Sequence, residues 1–566
     1  MVLLAACARS ETAPPGPAPA VTTDGGAPDA EAQAEEQPQG PDYAVVVTNV
    51  DRYGFSTSFI AEAPSVRNTY ERLTIVVSGE GSTEARIEGE ESPYGGWGFA
   101  SVPQRPYILE TRGRGVHAPP TDPPTIAQYP INGAKEVRLG TNTWARATAS
   151  PMAAATKLGL DLTLPVPLAA GDRFEWLGVR SFFYRDTTFP ATPPSGQTNV
   201  PVAGASTTPG WRLDADFLGS PYGVVGGGLP QPGDDLAVHQ VRTRNVQASA
   251  DRFDPWYGLA LTEVVGALDV ASPSFDNGQV NTVTGTLASL AKETLAVTVD
   301  GASFSAIRGA AGYPKTVRAT ASVSVGQEPG DGPEIYNAVA RPAWSFRTSD
   351  KPKVLLPGCF PEALIDVCSP GACAAGCDAA SDGFVDPASG SYTVDAPRLS
   401  PLGRDLYGFT YRYSTTFIEP GGRTHVLSAD AVARRPKTVT ASFALELGPV
   451  RNLRVDDAVL PWTAANLSPA VQHAIRFDPP ALGQPEYYEV VVLELEPTRS
   501  QRTAAQLYTR GTSVAIPDGT LRPDHLYYLQ VIAHRDGRDF AEPFLTKTDT
   551  SVATGIFSPP FTTKAR

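Results

Sequence analysis

The chain has 566 residues, enough for roughly three to five domains of about 100–200 residues each. Its 46 basic and 60 acidic residues leave a formal charge of −14, so no nucleic-acid partner is expected, because such binding needs a basic face. The 54 prolines and 52 glycines suit many short strands joined by tight turns. No run approaches about 18 consecutive apolar residues, which excludes a helical membrane span.

The chain opens Met1-Val-Leu-Leu4-Ala5-Ala6-Cys7. An apolar residue and two small ones before a cysteine resemble the lipobox of bacterial lipoproteins. That resemblance implies cleavage before Cys7, a diacylglycerol on its thiol, and a membrane as partner through the acyl chains. Only Val2 to Ala6 precede the cysteine, so a full signal of this kind places the start upstream of Met1. Residue 8 is alanine, not aspartate, which under the lipoprotein sorting rule resembles an outer-membrane address in the cell envelope. After this signal remnant (1–7), residues 8–42 are rich in Ala, Pro, Gly, Glu and Gln. They bury too little apolar surface to offset the entropy of ordering, and read as an acidic tether reaching on the order of 100 Å at about 3.1 Å per residue.

Folded sequence is expected from Tyr43. Strands are predicted at 43–47, 56–61 and 73–77 by their β-branched and aromatic content. Pro93-Tyr94-Gly-Gly-Trp97-Gly-Phe99, followed by Val102, Pro103, Tyr107 and Leu109, resembles the end of a transthyretin-like sandwich, assigned to 43–118. Tyr94, Trp97 and Phe99 suggest either a platform for a sugar ring or, more commonly, packing inside a hairpin. The Pro-rich 117–130 reads as a linker. From 131 to 346 the pattern is β-rich: Leu158, Leu160, Leu162 and Leu164 alternate with other residues, the period of a half-buried strand. Two sandwiches are expected there, with a β-propeller as the alternative.

Residues 347–446 carry Cys359, Cys368, Cys373 and Cys377, spaced C-x8-C-x4-C-x3-C. Zinc prefers CxxC-like knuckles around a longer loop. In an exported chain the even count reads as two disulfides, with three pairings open, and Cys7 as the odd thiol left for acylation. Asp378, Asp382 and Asp386 follow around Gly383. They are a candidate calcium turn, although the second Asp and distal Glu of an EF-hand loop are missing and a solvated turn is the simpler reading. No other cofactor is expected. Short strands are predicted between 392 and 439, and His425 there reads as a surface residue.

Residues 447–566 are the most legible part. Pro449 to Val455, Ala474 to Pro480 (a strand and its following corner), Tyr487 to Leu495 and Thr512 to Pro517 are predicted strands. Leu521-Arg-Pro523-Asp-His-Leu-Tyr527 matches the L-x-P-x-x-x-Y turn and, with the strand at Pro449 to Val455, resembles a fibronectin type III domain. That resemblance implies a tyrosine corner at Tyr527, with Tyr527, Leu529, Val531 and Ala533 facing one core. Phe477 stands where the family usually has tryptophan. The chain lacks G-x-S-x-G, H-E-x-x-H and P-loop motifs. The fold expected is therefore all-β, with several sandwiches in tandem and a fibronectin type III-like domain last. The function expected is non-catalytic: structural, or recognition of a protein or glycan ligand. The alternative is a carbohydrate-active or other hydrolase with a loop-built site.

Overall fold

A computed structural model describes residues 44–564 apart from intervening segments, of which 116–121, 144–155, 189–198, 214–231, 247–258, 329–341, 348–389, 398–403 and 544–549 are the longest. Apart from a short 3-10 turn at Gly301–Phe304, the regular elements among the described residues are all strands. The first sandwich contains β1 (Val45–Thr48), β2 (Val50–Phe55), β3 (Ser58–Pro64), β4 (Asn68–Ser78), β5 (Glu84–Glu88), β6 (Glu90–Ser92), β7 (Gly96–Phe99), β8 (Tyr107–Gly115), β9 (Thr125–Ile131), β10 (Glu136–Arg138) and β11 (Asn142–Thr143). One sheet runs β10-β1-β7-β6, and its partner runs β5-β4-β8-β9. Strand β1 is antiparallel to β7 and parallel to β10. Strands β2, β3 and β11 form a separate small sheet.

The second sandwich has β12 (Lys157–Thr163), β13 (Arg173–Gly178), β14 (Phe183–Thr188), β15 (Trp211–Leu213), β16 (Leu236–Val246), β17 (Leu259–Val270) and β18 (Val280–Thr286). The third has β19 (Lys292–Val299), β20 (Arg318–Glu328), β21 (Pro342–Arg347), β22 (Gly390–Pro397), β23 (Arg404–Ile418), β24 (Thr424–Pro436) and β25 (Thr440–Phe443). Their small sheets are β15-β12-β18 and β22-β19-β25, and in both the first strand is parallel to the last. Their larger sheets run β14-β13-β16-β17 and β21-β20-β23-β24. The first three sandwiches thus share one wiring. Principal strands one, four and seven make the small sheet, and the other four make the large sheet in the order three-two-five-six. No sequence period announces this repeat, because the loops between equivalent strands differ greatly in length.

The last module contains β26 (Arg451–Val455), β27 (Ala465–Leu467), β28 (Ala474–Asp478), β29 (Tyr487–Leu495), β30 (Arg502–Thr509), β31 (Ser513–Ala515), β32 (Leu526–Arg535), β33 (Ser551–Phe557) and β34 (Phe561–Thr563). Its small sheet is β26-β28-β31, facing β30-β29-β32-β33. Here strands one, two and five pair, the fibronectin type III-like wiring that Leu521 to Tyr527 implies. Phe477 is buried and meets Tyr488 edge-on at 4.8 Å, so it supplies the bulk of the absent tryptophan.

The large sheets are continuous with one another. Pairing runs β5-β4-β8-β9-β30-β29-β32-β33-β24-β23-β20-β21-β17-β16-β13-β14, so the last module lies between the first and third sandwiches. At one end, β5 carries exposed Glu84 and Glu88, charges that discourage further strand addition. All nine residues of β29 are buried. Tyr488, Val490 and Val492 fill the module's own core. Val491, Leu493 and Leu495 join the core of the third sandwich, and Tyr487 joins that of the first. The sheet of the last module is therefore covered on both faces. Where the third sandwich meets the last module, Gly483 is left-handed (φ 73°), and a Cβ there would lie 2.4 Å from the Glu446 carbonyl, so only glycine permits the approach.

Several expectations change. The segment 117–130, read as a linker, contains most of β9, which pairs on both sides; its prolines flank the strand or sit near its end instead of breaking it. The central region is built of sandwiches, and the third continues well past 346. The strands predicted as short between 392 and 439 include β23 and β24, of 15 and 13 residues, which pair with each other from Leu406–Pro436 to Ile418–Thr424. His425 is buried, not on the surface. The alternating leucines of β12 are buried as read.

Candidate functional site at the junction of the first and last modules

Cys7, the cluster Cys359, Cys368, Cys373 and Cys377, and Asp378, Asp382 and Asp386 lie outside the described residues, as does Tyr94. Phe99 is fully buried and Trp97 packs against its cluster, so these rings belong to a core and do not line a sugar platform. The tyrosine corner is present: the Tyr527 hydroxyl accepts the Arg522 backbone N–H at 2.9 Å. Leu521 is buried in the same core, while Pro523 is exposed on the turn. Tyr527, Leu529, Val531 and Ala533 all face that core. Replacing Tyr527 with phenylalanine leaves the Arg522 N–H without its acceptor. The expected loss is about 1–3 kcal/mol, read as a lower urea midpoint with an unchanged slope.

The densest chemistry lies where the first sandwich meets the last module. Ile126, Ala127 and Gln128 pair in parallel with Ala505, Gln506 and Leu507. Tyr129 stacks on Tyr508 with centroids 5.5 Å apart. Tyr487, Tyr508 and Phe540, all from the last module, count among the core residues of the first sandwich. The Arg538 guanidinium lies over the Tyr487 and Tyr508 rings at 5.6 and 5.5 Å, a cation–π arrangement. Beneath it, Glu489 receives Gln506 Nε2 at 2.6 Å and contacts His534 Nε2 at 2.9 Å. Burial pushes the Glu489 pKa up, but the His534 hydrogen bond and charge, Gln506 and Arg538 outweigh it and hold the carboxyl below its usual range. Glu110 on β8 is handled likewise. Burial raises it, while Gln128, Arg86 and Arg112 lower it further.

A carboxylate depressed in the folded state contributes stability above its unfolded pKa and loses it as pH falls through the folded one. The urea midpoint is therefore expected to hold steady from neutral pH to about 5 and to fall below the ordinary glutamate value of 4.5. Glu489→Gln should flatten that fall, and an equally steep acid limb in the variant would assign it elsewhere.

A second network centres on Glu494, which is fully buried. It pairs with Arg502 and Arg522 and lies 2.6 Å from His525 Nδ1. Arg502 also donates to the Pro123 carbonyl at 3.4 Å in the first sandwich. Across the third sandwich, Glu446 links Arg435 to Arg535. Buried carboxylates, the usual material of acid–base catalysis, are here engaged by arginine, histidine and amide groups. Among the described residues no group of three His, Cys, Asp or Glu side chains is placed to hold a metal ion. Sequence reading missed this junction. Its one signal was the run Tyr487 to Leu495, apolar at both odd and even positions apart from Glu489 and Glu494, where a strand with one wet face would alternate.

No protein-family model matches the chain, and no curated protein matches it. Solved structures sharing remote similarity include the FN1–FN3 domains of chicken CNTN1, at 10% identity over 81% of this chain and 96% of that one, with a TM-score of 0.13. A tetra-tandem repeat from the extending region of a large adhesion protein gives 9% identity over 91% and 98%, with a TM-score of 0.11. Domains A168–A170 of titin give 8% over 88% and 100%, with a TM-score of 0.14. At such scores no common framework superposes, and the fold is defined by the strand wiring itself. That wiring makes the chain an all-β protein of joined sandwiches ending in a fibronectin type III-like module.

Proposed function

We propose that this is a lipid-anchored protein of the bacterial cell envelope, held on the outer membrane through Cys7, with a non-catalytic structural or ligand-recognition role. The observation that carries the non-catalytic reading is the junction itself. Its buried carboxylates are engaged in ion pairs and hydrogen bonds within the last module, and Arg502 carries one of these networks on to the Pro123 carbonyl of the first sandwich. The exposed outer surfaces of the sheets are what remains for a protein or glycan partner. Residues 8–42 serve as the stalk, and Cys359, Cys368, Cys373 and Cys377 as two disulfides. The wiring of the first sandwich supports the transthyretin-like reading of 43–118 and extends it through β10, with the same connectivity in the two that follow. The test is fractionation of the native host with mass spectrometry of the N-terminal peptide. A diacylated or triacylated Cys7 in the outer-membrane fraction is expected. An unmodified Met1 in the cytosol overturns the anchor and makes the disulfides improbable.

A further inference from the structure

We propose that the first sandwich is an exchangeable arm, and that the surface it occupies on the last module also takes the first sandwich of a second copy of this chain. The seat has two parts. One is the edge of β30, which accepts β9 by strand addition over three residues. The other is the aromatic face of Tyr487, Tyr508 and Phe540, which completes the arm's core. Contacts surround the seat on every side. Thr125 Oγ1 donates to the Thr503 carbonyl at 2.9 Å, Arg112 to the Asp518 carbonyl at 3.2 Å, the Arg138 N–H to the Ala541 carbonyl at 2.7 Å, and Arg510 to Asn132.

These partners stand roughly 380–410 positions apart in sequence and are joined covalently only by way of the second and third sandwiches. A second copy therefore presents the identical donors, acceptors and rings. Two copies exchanging arms would make each junction twice, a closed pair with two-fold symmetry, which is the low-cost route to a dimer. What favours the closed single chain is the effective concentration that the path through the second and third sandwiches gives the arm at its seat, on the order of millimolar if it matches that of a short linker. Crowding of copies on a surface competes with that directly.

The experiment uses the full chain with a photo-crosslinking benzoylphenylalanine at Asn132, an exposed position beside Arg510. Isotopically light and heavy preparations are mixed equally, unfolded together in urea, and refolded at low and high concentration before irradiation. Cross-links from position 132 to the segment around Arg510 are expected throughout. In dilute samples nearly all should join peptides of one isotope. At about 1 mM, where intramolecular and intermolecular seating balance, mixed-isotope pairs should reach about a quarter, rising towards about half only well above it. Cross-links that stay within one isotope at every concentration overturn the exchange. Absence of any cross-link near Arg510 overturns the seat itself.

Discussion

Residues 445–566, produced alone, will not behave as a monomeric fibronectin-like domain. Tyr487, Val491, Leu493, Leu495, Tyr508, Tyr528, Phe540 and Phe557 are each at most 8% exposed in the whole chain, and their clusters are shared with the first and third sandwiches. Burying such a side chain contributes about 1.5–3 kcal/mol. Losing even half of that over eight positions rivals the whole stability of a typical domain, about 5–15 kcal/mol. The tyrosine corner and the core around Val490, Leu529 and Ile556 remain, so the fragment should keep β structure. It would present a large apolar face, the kind that marks an interface or an aggregation site. Light scattering should show association and a hydrophobic dye should bind. A monodisperse, dye-silent monomer with a sharp urea transition would show that the outer face of β29 and β32 is dispensable. The third sandwich should suffer too, since Phe557 stacks on Tyr313 at 4.5 Å and its N–H donates to the Tyr313 hydroxyl.

The largest single-residue effect is expected at Glu494. Its carboxylate is the shared partner of Arg502, only 9% exposed, and of Arg522. Glu494→Ala leaves the two guanidiniums facing each other with only the longer contacts to Glu496, at 3.4 and 4.0 Å, as counter-charge. Breaking one member of a buried pair typically costs about 3–5 kcal/mol, because the survivor stays desolvated and unpaired. Adding Arg502→Ala should recover part of that loss, so the double variant is more stable than the sum of the single effects predicts. Equilibrium urea unfolding of the four proteins measures the coupling directly. A Glu494→Ala cost below about 1 kcal/mol would place the network with exposed ion pairs. The arginine to Pro123 contact adds a second expectation: the variant should weaken the seat of the first sandwich as well as its own module.

Much of this protein was settled by local chemistry alone. Alternating leucines put β12 on a core. The likeness to a fibronectin type III domain carried the four principal strands read in the last module, and Leu521 to Tyr527 fixed the tyrosine corner, because a hydroxyl reaching a backbone N–H five residues away is a short-range device. Phe99 went to a core, as aromatic residues on a Gly-rich hairpin commonly do. What the tertiary structure alone decided was which faces meet. Tyr487, Glu489 and Val491 alternate in register with Tyr488, Val490 and Val492. No local rule says whether the second face meets water or another sandwich. Residues 125–131 follow a Pro-rich stretch that looks like a linker. They become a strand because β8 on one side and β30 on the other satisfy their backbone groups. The common wiring of the first three sandwiches is equally silent in sequence, since connectivity is preserved while loops and side chains vary. Non-local pairing is set by the burial of both partners at once, and that quantity exists only when strands nearly four hundred residues apart are brought together.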